Sequence, residues 1–128
     1  MAQQHLLESD EVRLVVIDDD VDAAFVLSEM LGGEGYSVRA CHDAEQALIL
    51  IAEFDPVGVL LDLGLPDRDG LDLARHLRQA YDASLVLVAV TGRTGERDNA
   101  AAMAAGIDFV IVKPVDLKRL KSIFPSVC

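Results

Sequence analysis

Several features are missing from this sequence, and each absence excludes a class of protein. The 128 residues hold no apolar stretch near the roughly 20 residues of a membrane span. No basic region followed by a long apolar segment opens the chain, so no secretory signal is visible. Basic residues cluster only at Lys118-Arg119 and Lys121, within a formal charge of −11. We therefore expect a cytoplasmic protein that binds neither membranes nor, by itself, nucleic acid.

Cysteine and histidine are also scarce. The two cysteines, Cys41 and Cys128, have no metal-ligand spacing, and we expect Cys41 to be a small buried thiol near the end of a strand. The three histidines, His5, His42 and His76, are expected at the surface or in the tail. A metal site built on sulfur or imidazole ligands is therefore not predicted.

What the chain does contain is a set of short, continuous apolar runs, with hydrophobic residues at 52% overall. Such runs are typical of strands that are buried on both faces of a parallel sheet. Strands are predicted near residues 13–18, 36–41, 57–62, 85–91 and 108–112, each followed by a helical pattern. We predict an α/β fold of the doubly wound, flavodoxin-like (βα)5 type: a five-stranded parallel sheet of order 2-1-3-4-5 with helices on both faces. Residues 1–11 are expected to be a flexible tail, and residues 12–128 a single domain.

The first predicted helix illustrates the local signals. Asp20 is placed to cap it, and Val21, Ala24, Phe25 and Leu31 recur at helical spacing as its inner face.

Polar side chains follow four of the five predicted strands. Asp18 and Asp19 come after the first strand, Asp62 after the third, Thr91 after the fourth and Lys113 after the fifth. Ligands of open parallel sheets bind at the carboxyl ends of the strands. The topology therefore predicts that these groups meet at one edge of the sheet.

The chemistry of these groups indicates metal-assisted phosphoryl transfer. Carboxylates about 4 Å apart repel each other by roughly 4 kcal/mol at an effective dielectric constant of 20, so a bound cation would explain the cluster. Oxygen ligands suit Mg²⁺ or Mn²⁺, and no His or Cys is expected nearby to favour a softer metal. Asp62 is the candidate nucleophile, and the Asp18-Asp19 pair fits metal binding better. Lys113 and the Thr91 hydroxyl would bind phosphoryl oxygens.

From about Leu14 to Phe124 the chain resembles the receiver domain of two-component response regulators. The resemblance rests on the acidic pair, Asp62, Thr91, the Lys113-Pro114 dipeptide and the segment from Asp62 to Gly70 with its Leu-Pro and Asp-Gly steps.

By this resemblance, Asp62 is the phosphoacceptor, and Asp19, Asp62 and the backbone carbonyl of Gly64 ligate Mg²⁺, with Asp18 contributing through water. The phosphoryl group would come from a phosphohistidine on a histidine kinase or a histidine phosphotransfer protein. Enzymatic activity would be limited to self-phosphorylation and slow autodephosphorylation.

One position departs from the family pattern. Val110 stands where many receivers carry Tyr or Phe, with Phe109 predicted on the opposite face of the strand, so no aromatic switch is expected. The chain is more similar to receivers of hybrid histidine kinases, or to stand-alone phosphorelay receivers, than to those of transcription factors. We expect output through the fourth helix, the loop after Thr91, and the fifth strand and helix. With Cys128 as the last residue, no effector domain is expected, so we expect output by protein contact or onward relay. We also expect a monomer or weak dimer.

Two alternative functions remain open. An aspartyl-phosphate phosphatase of the haloacid-dehalogenase kind would use Asp18 and Asp20, but would leave Asp62 without a role. A receiver-like interaction module that works without phosphorylation is consistent with Val110, although the intact acidic pair and Lys113 argue against it. A flavin protein of the same fold is disfavoured, because the acidic loop after the first strand would repel a phosphate.

Overall fold

The fold was analysed in a computed structural model, which describes residues 11–63, 69–92 and 96–125 of the chain, without the side chains of 96–98. Strands and helices alternate along the chain. They are β1 (Arg13–Ile17), α1 (Val21–Gly33), β2 (Ser37–Cys41), α2 (Ala44–Phe54), β3 (Gly58–Asp62), α3 (Gly70–Tyr81), β4 (Val86–Thr91), α4 (Glu96–Ala104), β5 (Phe109–Val112) and α5 (Leu117–Ile123). A single 3₁₀ turn, Asp82–Ser84, lies between α3 and β4.

The five strands form one parallel sheet in the order β2-β1-β3-β4-β5, which confirms the predicted topology. β1, β3 and β4 are central and almost completely buried, whereas β2 lies at one edge and is half exposed, as its polar composition indicates. Every strand therefore presents its carboxyl end to the same rim of the sheet.

Two apolar cores cover the two faces of this sheet, because alternate residues of each strand point to opposite sides. In β1, Val15 and Ile17 join the core packed against α2, α3 and α4, whereas Leu14 and Val16 join the core packed against α1 and α5. The neighbours Phe109 and Val110 divide in the same way. Val110 packs against the first core and Phe109 is 40% exposed, as predicted for opposite faces.

Of the four residues predicted to form the inner face of α1, two are buried and two are exposed, so the prediction is wrong for two of them. Ala24 and Leu31 are buried, but Val21 and Phe25 are 58% and 63% exposed. Seven residues bring the helix back to within about 20° of its starting direction, so Ala24 and Leu31 share one stripe, whereas Phe25 lies about 100° from Ala24. Two of the four residues predicted to face the core therefore face solvent instead. The Asp20 cap itself is confirmed, since its Oδ1 accepts a hydrogen bond from the backbone N–H of Ala23 at 3.1 Å.

Gly58 at the start of β3 allows the chain after α5 to pack directly on the sheet. A Cβ atom at this position would lie 2.3 Å from Cε1 of the buried Phe124 ring. A side chain at position 58 would therefore displace Phe124 from the α5 side of the core.

Arg78 joins the end of α3 to the turn that precedes β5. Its guanidinium donates hydrogen bonds to the carbonyl oxygens of Gly106 and Leu85, each at 2.7 Å at the closest, and to Oδ2 of Asp108 at 2.6 Å. Because the same carboxylate oxygen accepts from the backbone N–H of Leu87 at 2.8 Å, α3, β4 and the start of β5 are held together at this end of the sheet.

Among the described helices, none is both long enough and apolar enough to span a bilayer. The predicted tail of residues 1–11 lies almost entirely outside the described part of the chain and stays a prediction.

Candidate functional site

The sheet register explains how the predicted site residues come together. Ile17 of β1 pairs with Leu61 of β3, so the residues that follow them, Asp18 and Asp62, emerge side by side. At the other side of β3, Asp62 pairs with Val90, one residue before Thr91. Thr91 in turn pairs with Val112, and Lys113 comes next.

Three carboxylates form the centre of the site. Ligand oxygens of Asp18, Asp19 and Asp62 all lie within 4.8 Å of one another, with Asp18 buried, Asp62 half-buried and Asp19 exposed. A set of hard oxygen donors, open to solvent on the Asp19 side, fits Mg²⁺ or Mn²⁺, which retain water ligands. The described residues thus supply three of the four predicted metal ligands. The fourth, the carbonyl of Gly64, lies outside the described residues.

Lys113 supplies the positive charge of the site. Its Nζ atom is 3.4 Å from Oδ2 of Asp62 and 3.8 Å from Oδ2 of Asp18. The backbone N–H of Lys113 donates to the carbonyl oxygen of Thr91 at 2.8 Å, which fixes the lysine to the end of β4. Its side chain is 41% exposed, so the ammonium faces both the carboxylates and solvent. A tetrahedral anion arriving from solvent would therefore meet this ammonium at the rim.

The pKa of Asp18 reflects the electrostatic environment of the cluster. Burial raises the pKa of this carboxyl above its ordinary value, and the nearby Asp62 carboxylate raises it further. The backbone N–H of Asp20, which donates to Oδ1 of Asp18 at 2.9 Å, and the charge of Lys113 lower the pKa and offset part of the effect. The proximity of Asp62 therefore adds to the effect of burial in disfavouring the charged form of Asp18.

The backbone of Gly70 packs closely against that of Leu63, the residue that follows Asp62. The backbone N–H of Gly70, at the start of α3, donates to the carbonyl of Leu63 at 3.2 Å. A Cβ at position 70 would lie 2.6 Å from the Cα of Leu63, so the approach requires glycine. Asp69 caps α3 through the N–H of Leu71 at 2.9 Å. The Asp-Gly step therefore anchors the residue that directly follows the candidate nucleophile.

Thr91 and Val110 complete the set of residues singled out by the sequence. Thr91 is half-buried at the carboxyl end of β4, on the same rim as the carboxylates. Val110 is two residues before the end of β5 and packs against the core beside α4.

His42 lies beside the backbone of the acidic turn, where a position at the surface or in the tail was predicted. The ring Nδ1 of His42 is 3.1 Å from the backbone oxygen of Asp18, and the ring is half-buried rather than on the open surface. Since β1 and β2 pair at Ile17 and Cys41, the residue after Cys41 necessarily lies beside Asp18. Extending the strand-end comparison to β2 would have placed His42 beside Asp18, although not its hydrogen bond to the backbone oxygen. His42 does not belong to the group of ligand atoms formed by the three carboxylates.

The expectation for Cys41 is confirmed. It is 4% exposed at the end of β2, and burial, followed by the charge of Asp43, raises the pKa of its thiol to about 12. An un-ionised thiol facing the core has no role in the chemistry of the rim.

Comparison with known proteins agrees with this geometry. Residues 14–124 match the model of the response regulator receiver domain. A curated relative, the transcriptional regulatory protein AruR of Pseudomonas aeruginosa, is 38% identical over 115 residues, which are 86% of this chain and 46% of that protein. The chain thus spans about half the length of this relative.

Solved structures show the same architecture. A CheY-like receiver domain protein from Methanospirillum hungatei superposes with a TM-score of 0.80 at 26% identity, covering 88% of this chain and 90% of that one. The BeF3-activated N-terminal receiver domain of Klebsiella pneumoniae RstA gives a TM-score of 0.80 at 25% identity, covering 87% and 93%.

Proposed function

Because the chain belongs to the response regulator receiver domains of two-component signalling, we propose that Asp62 accepts a phosphoryl group from a phosphohistidine. The donor would be a histidine kinase or a histidine phosphotransfer protein. The proposal rests on the proximity of Asp62, at the carboxyl end of the central strand β3, to Asp18, Asp19 and Lys113. Such a site offers a nucleophile together with the charges that phosphoryl transfer needs.

The residues divide the chemistry between them. A carboxylate oxygen of Asp62 attacks phosphorus, the P–N bond of the phosphohistidine breaks, and its electron pair returns to the imidazole nitrogen. Lys113, 3.4 Å from Asp62, binds one oxygen of the transferred group, and the Thr91 hydroxyl binds another. The same site then directs water to the acyl phosphate in slow autodephosphorylation.

A divalent cation completes the proposal. Asp18, Asp19 and Asp62, with the carbonyl of Gly64, would hold Mg²⁺ or Mn²⁺, Asp18 through water. When bound, the cation neutralises charge on the phosphoryl oxygens and on the carboxylates that surround them.

The exposed side of α1 supports docking of a protein donor. Phe25 and Val26 on α1 are 63% and 54% exposed, and Val26 lines a groove of about 490 Å³ that extends from α1 to Lys113 and Pro114. Exposed apolar groups next to a reactive carboxylate are typical of a protein contact surface. A donor seated on α1 would thus bring its phosphohistidine to the rim at Asp62.

For output, the proposed surface is α4, the loop after Thr91, β5 and α5. Phosphorylation replaces the single carboxylate charge of Asp62 by a phosphoryl group of about −1.5 to −2 charge that extends further from β3, and this group attracts the Lys113 ammonium and the Thr91 hydroxyl. Met103 on α4 is 56% exposed and could contact a partner. Unchanged chemical shifts for residues 91–106 after phosphorylation would rule this surface out. We further propose a cytoplasmic location, and a monomer or weak dimer that signals by contact or onward relay.

The direct test is labelling with acetyl phosphate. In the presence of Mg²⁺, peptide mass spectrometry should find one phosphoryl group, on Asp62. EDTA or Asp62→Asn should abolish it, and Asp55→Asn, at an exposed position after α2, should not. Absence of labelling in the unmodified chain would favour a phosphorylation-independent module. Steady phosphatase turnover lost in Asp18→Asn but kept in Asp62→Asn would favour the haloacid-dehalogenase chemistry.

The docking surface has its own test. Phe25→Ala should slow transfer from a phosphohistidine protein while leaving labelling by acetyl phosphate unchanged, because a small donor needs no protein contact. Equal transfer to both proteins would show that α1 does not dock the donor.

A further inference from the structure

His42 contacts the acidic turn from outside the strands that carry the three carboxylates. It follows β2, and its Nδ1 lies 3.1 Å from the backbone oxygen of Asp18. On the other side of the same residue, the N–H of Asp18 donates to the carbonyl of Cys41 at 3.1 Å. Both backbone polar groups of Asp18 are therefore held by two successive residues of the edge strand and its extension.

The direction of this hydrogen bond follows from its acceptor. A carbonyl oxygen only accepts, so the ring must carry its proton on Nδ1. The carbonyl belongs to the peptide plane that joins Asp18 to Asp19. Fixing that plane limits ψ of Asp18 and φ of Asp19, and so limits the direction of the Asp19 side chain. Asp19 is exposed, so core packing contributes little to its orientation.

His42 is itself held by the start of α2. Its backbone N–H donates to Oε1 of Gln46 at 3.1 Å, while Oδ1 of Asp43 accepts from the backbone N–H of Gln46 at 2.8 Å. This pair of reciprocal bonds is a variant of the capping box. A continuous series of hydrogen bonds therefore links the N-terminus of α2, through the His42 ring, to the peptide before Asp19.

We propose that His42 is a positioning residue of the cation site, which orients Asp19 toward the divalent ion by holding the Asp18 carbonyl. The inference rests on the proposed function, since it assumes that Asp18, Asp19 and Asp62 hold Mg²⁺. A single hydrogen bond of this kind corresponds to about a three- to tenfold change in an equilibrium constant. Loss of the His42 bond is expected to weaken Mg²⁺ binding by that factor.

Two amide substitutions separate the role of the bond from that of the ring. In His42→Asn the side-chain NH₂ occupies nearly the place of Nδ1 and can still donate to the carbonyl. In His42→Gln the amide extends toward the place of Nε2 and cannot. His76→Gln, at an exposed position of α3, is the matched control. Mg²⁺ is titrated into each full-length protein by calorimetry, and thermal unfolding in EDTA verifies that each one folds.

The expected result is Mg²⁺ affinity within about twofold of the unmodified protein for His42→Asn and His76→Gln, and about three- to tenfold weaker for His42→Gln. In labelling by acetyl phosphate, His42→Gln should need more Mg²⁺ for half-maximal rate but reach the same plateau. Equal affinity of His42→Gln and the unmodified protein would overturn this inference alone, as would equal weakening in the Asn and Gln variants. An unmodified protein that binds no Mg²⁺ would overturn the metal site of the proposed function as well.

Discussion

Replacing Asp18 by Asn is expected to stabilise the metal-free protein, because the substitution removes one of three mutually repelling carboxylates. Ligand oxygens within 4.8 Å of one another imply that each repulsion between Asp18 and Asp19 or Asp62 amounts to at least about 3.5 kcal/mol at a dielectric constant of 20. The attraction between Asp18 and Lys113 over 3.8 Å is about 4.4 kcal/mol on the same scale, and solvent reduces both this attraction, at the exposed lysine, and the repulsion between Asp18 and the exposed Asp19. The two repulsions together are larger. Asn also keeps an oxygen to accept from the N–H of Asp20.

We expect Asp18→Asn to raise the free energy of unfolding in EDTA by about 1–3 kcal/mol near neutral pH, and the melting temperature by several degrees. The pKa of Asp18 is raised in the folded state, so its protonated form favours folding and this contribution is lost as pH rises through that pKa. The advantage of the Asn variant should therefore shrink as the pH is lowered and Asp18 becomes protonated. Saturating Mg²⁺ should reverse the order, since a ligand at 1,000 times its Kd stabilises by about 4.1 kcal/mol, which exceeds the advantage of the Asn variant.

Circular dichroism melts in EDTA and in Mg²⁺ measure both effects. Asp22→Asn is the control, because it removes the same charge from an exposed position in the first turn of α1, where its loss should be neutral or slightly destabilising. An Asp18→Asn variant less stable than the unmodified protein in EDTA, or a difference that does not change with pH, would refute the electrostatic reasoning.

Three further predictions concern the scaffold. Gly58→Ala should lower the free energy of unfolding by about 1–3 kcal/mol in urea melts, because its Cβ would meet the Phe124 ring. Gly92→Ala should be nearly neutral, because its Cβ would meet no atom of the described residues within 4 Å. Equal effects of the two substitutions would contradict the packing. Cys41 should resist alkylation near pH 8 in the folded protein, because burial raises the pKa of its thiol to about 12, and it should react in urea. Peptide mass spectrometry locates the alkylated cysteine. Arg78→Met should accelerate amide hydrogen exchange at the starts of β4 and β5, because the oxygens that now accept from the guanidinium lose their donor. Unchanged exchange would show that the hydrogen bonds of Arg78 are not needed to hold these strands.

The sheet order could be predicted because burial and capping signals agreed in this sequence. Strands covered on both faces leave continuous apolar runs, and Asp20 and Asp43 mark the helix starts that follow two of them. Once that order is fixed, the placement of Asp18 and Asp62 follows from register alone.

Two features could not be read from the same signals. Helical spacing located α1, but both Ala24 and Phe25 fit an apolar stripe, and only the position of the sheet decides which of them is buried. The contact of His42 with the Asp18 carbonyl involves a backbone group, and backbone groups leave no trace in residue identity.

The exposure of the site residues increases from the sheet outward, and this gradient has a consequence for how a donor must approach. The Asp18 side chain is 10% exposed, that of Asp62 17% and that of Lys113 41%. The candidate nucleophile, at the end of β3, is therefore less exposed than the lysine that pairs with it. The site borders the exposed apolar face of α1 and the Lys113-Pro114 step. If Asp62 is the phosphoacceptor, as proposed, a small phosphodonor would enter without touching α1, whereas a protein that carries a phosphohistidine would reach Asp62 only by packing there. Recognition of the donor and positioning for transfer would then depend on adjacent parts of one rim.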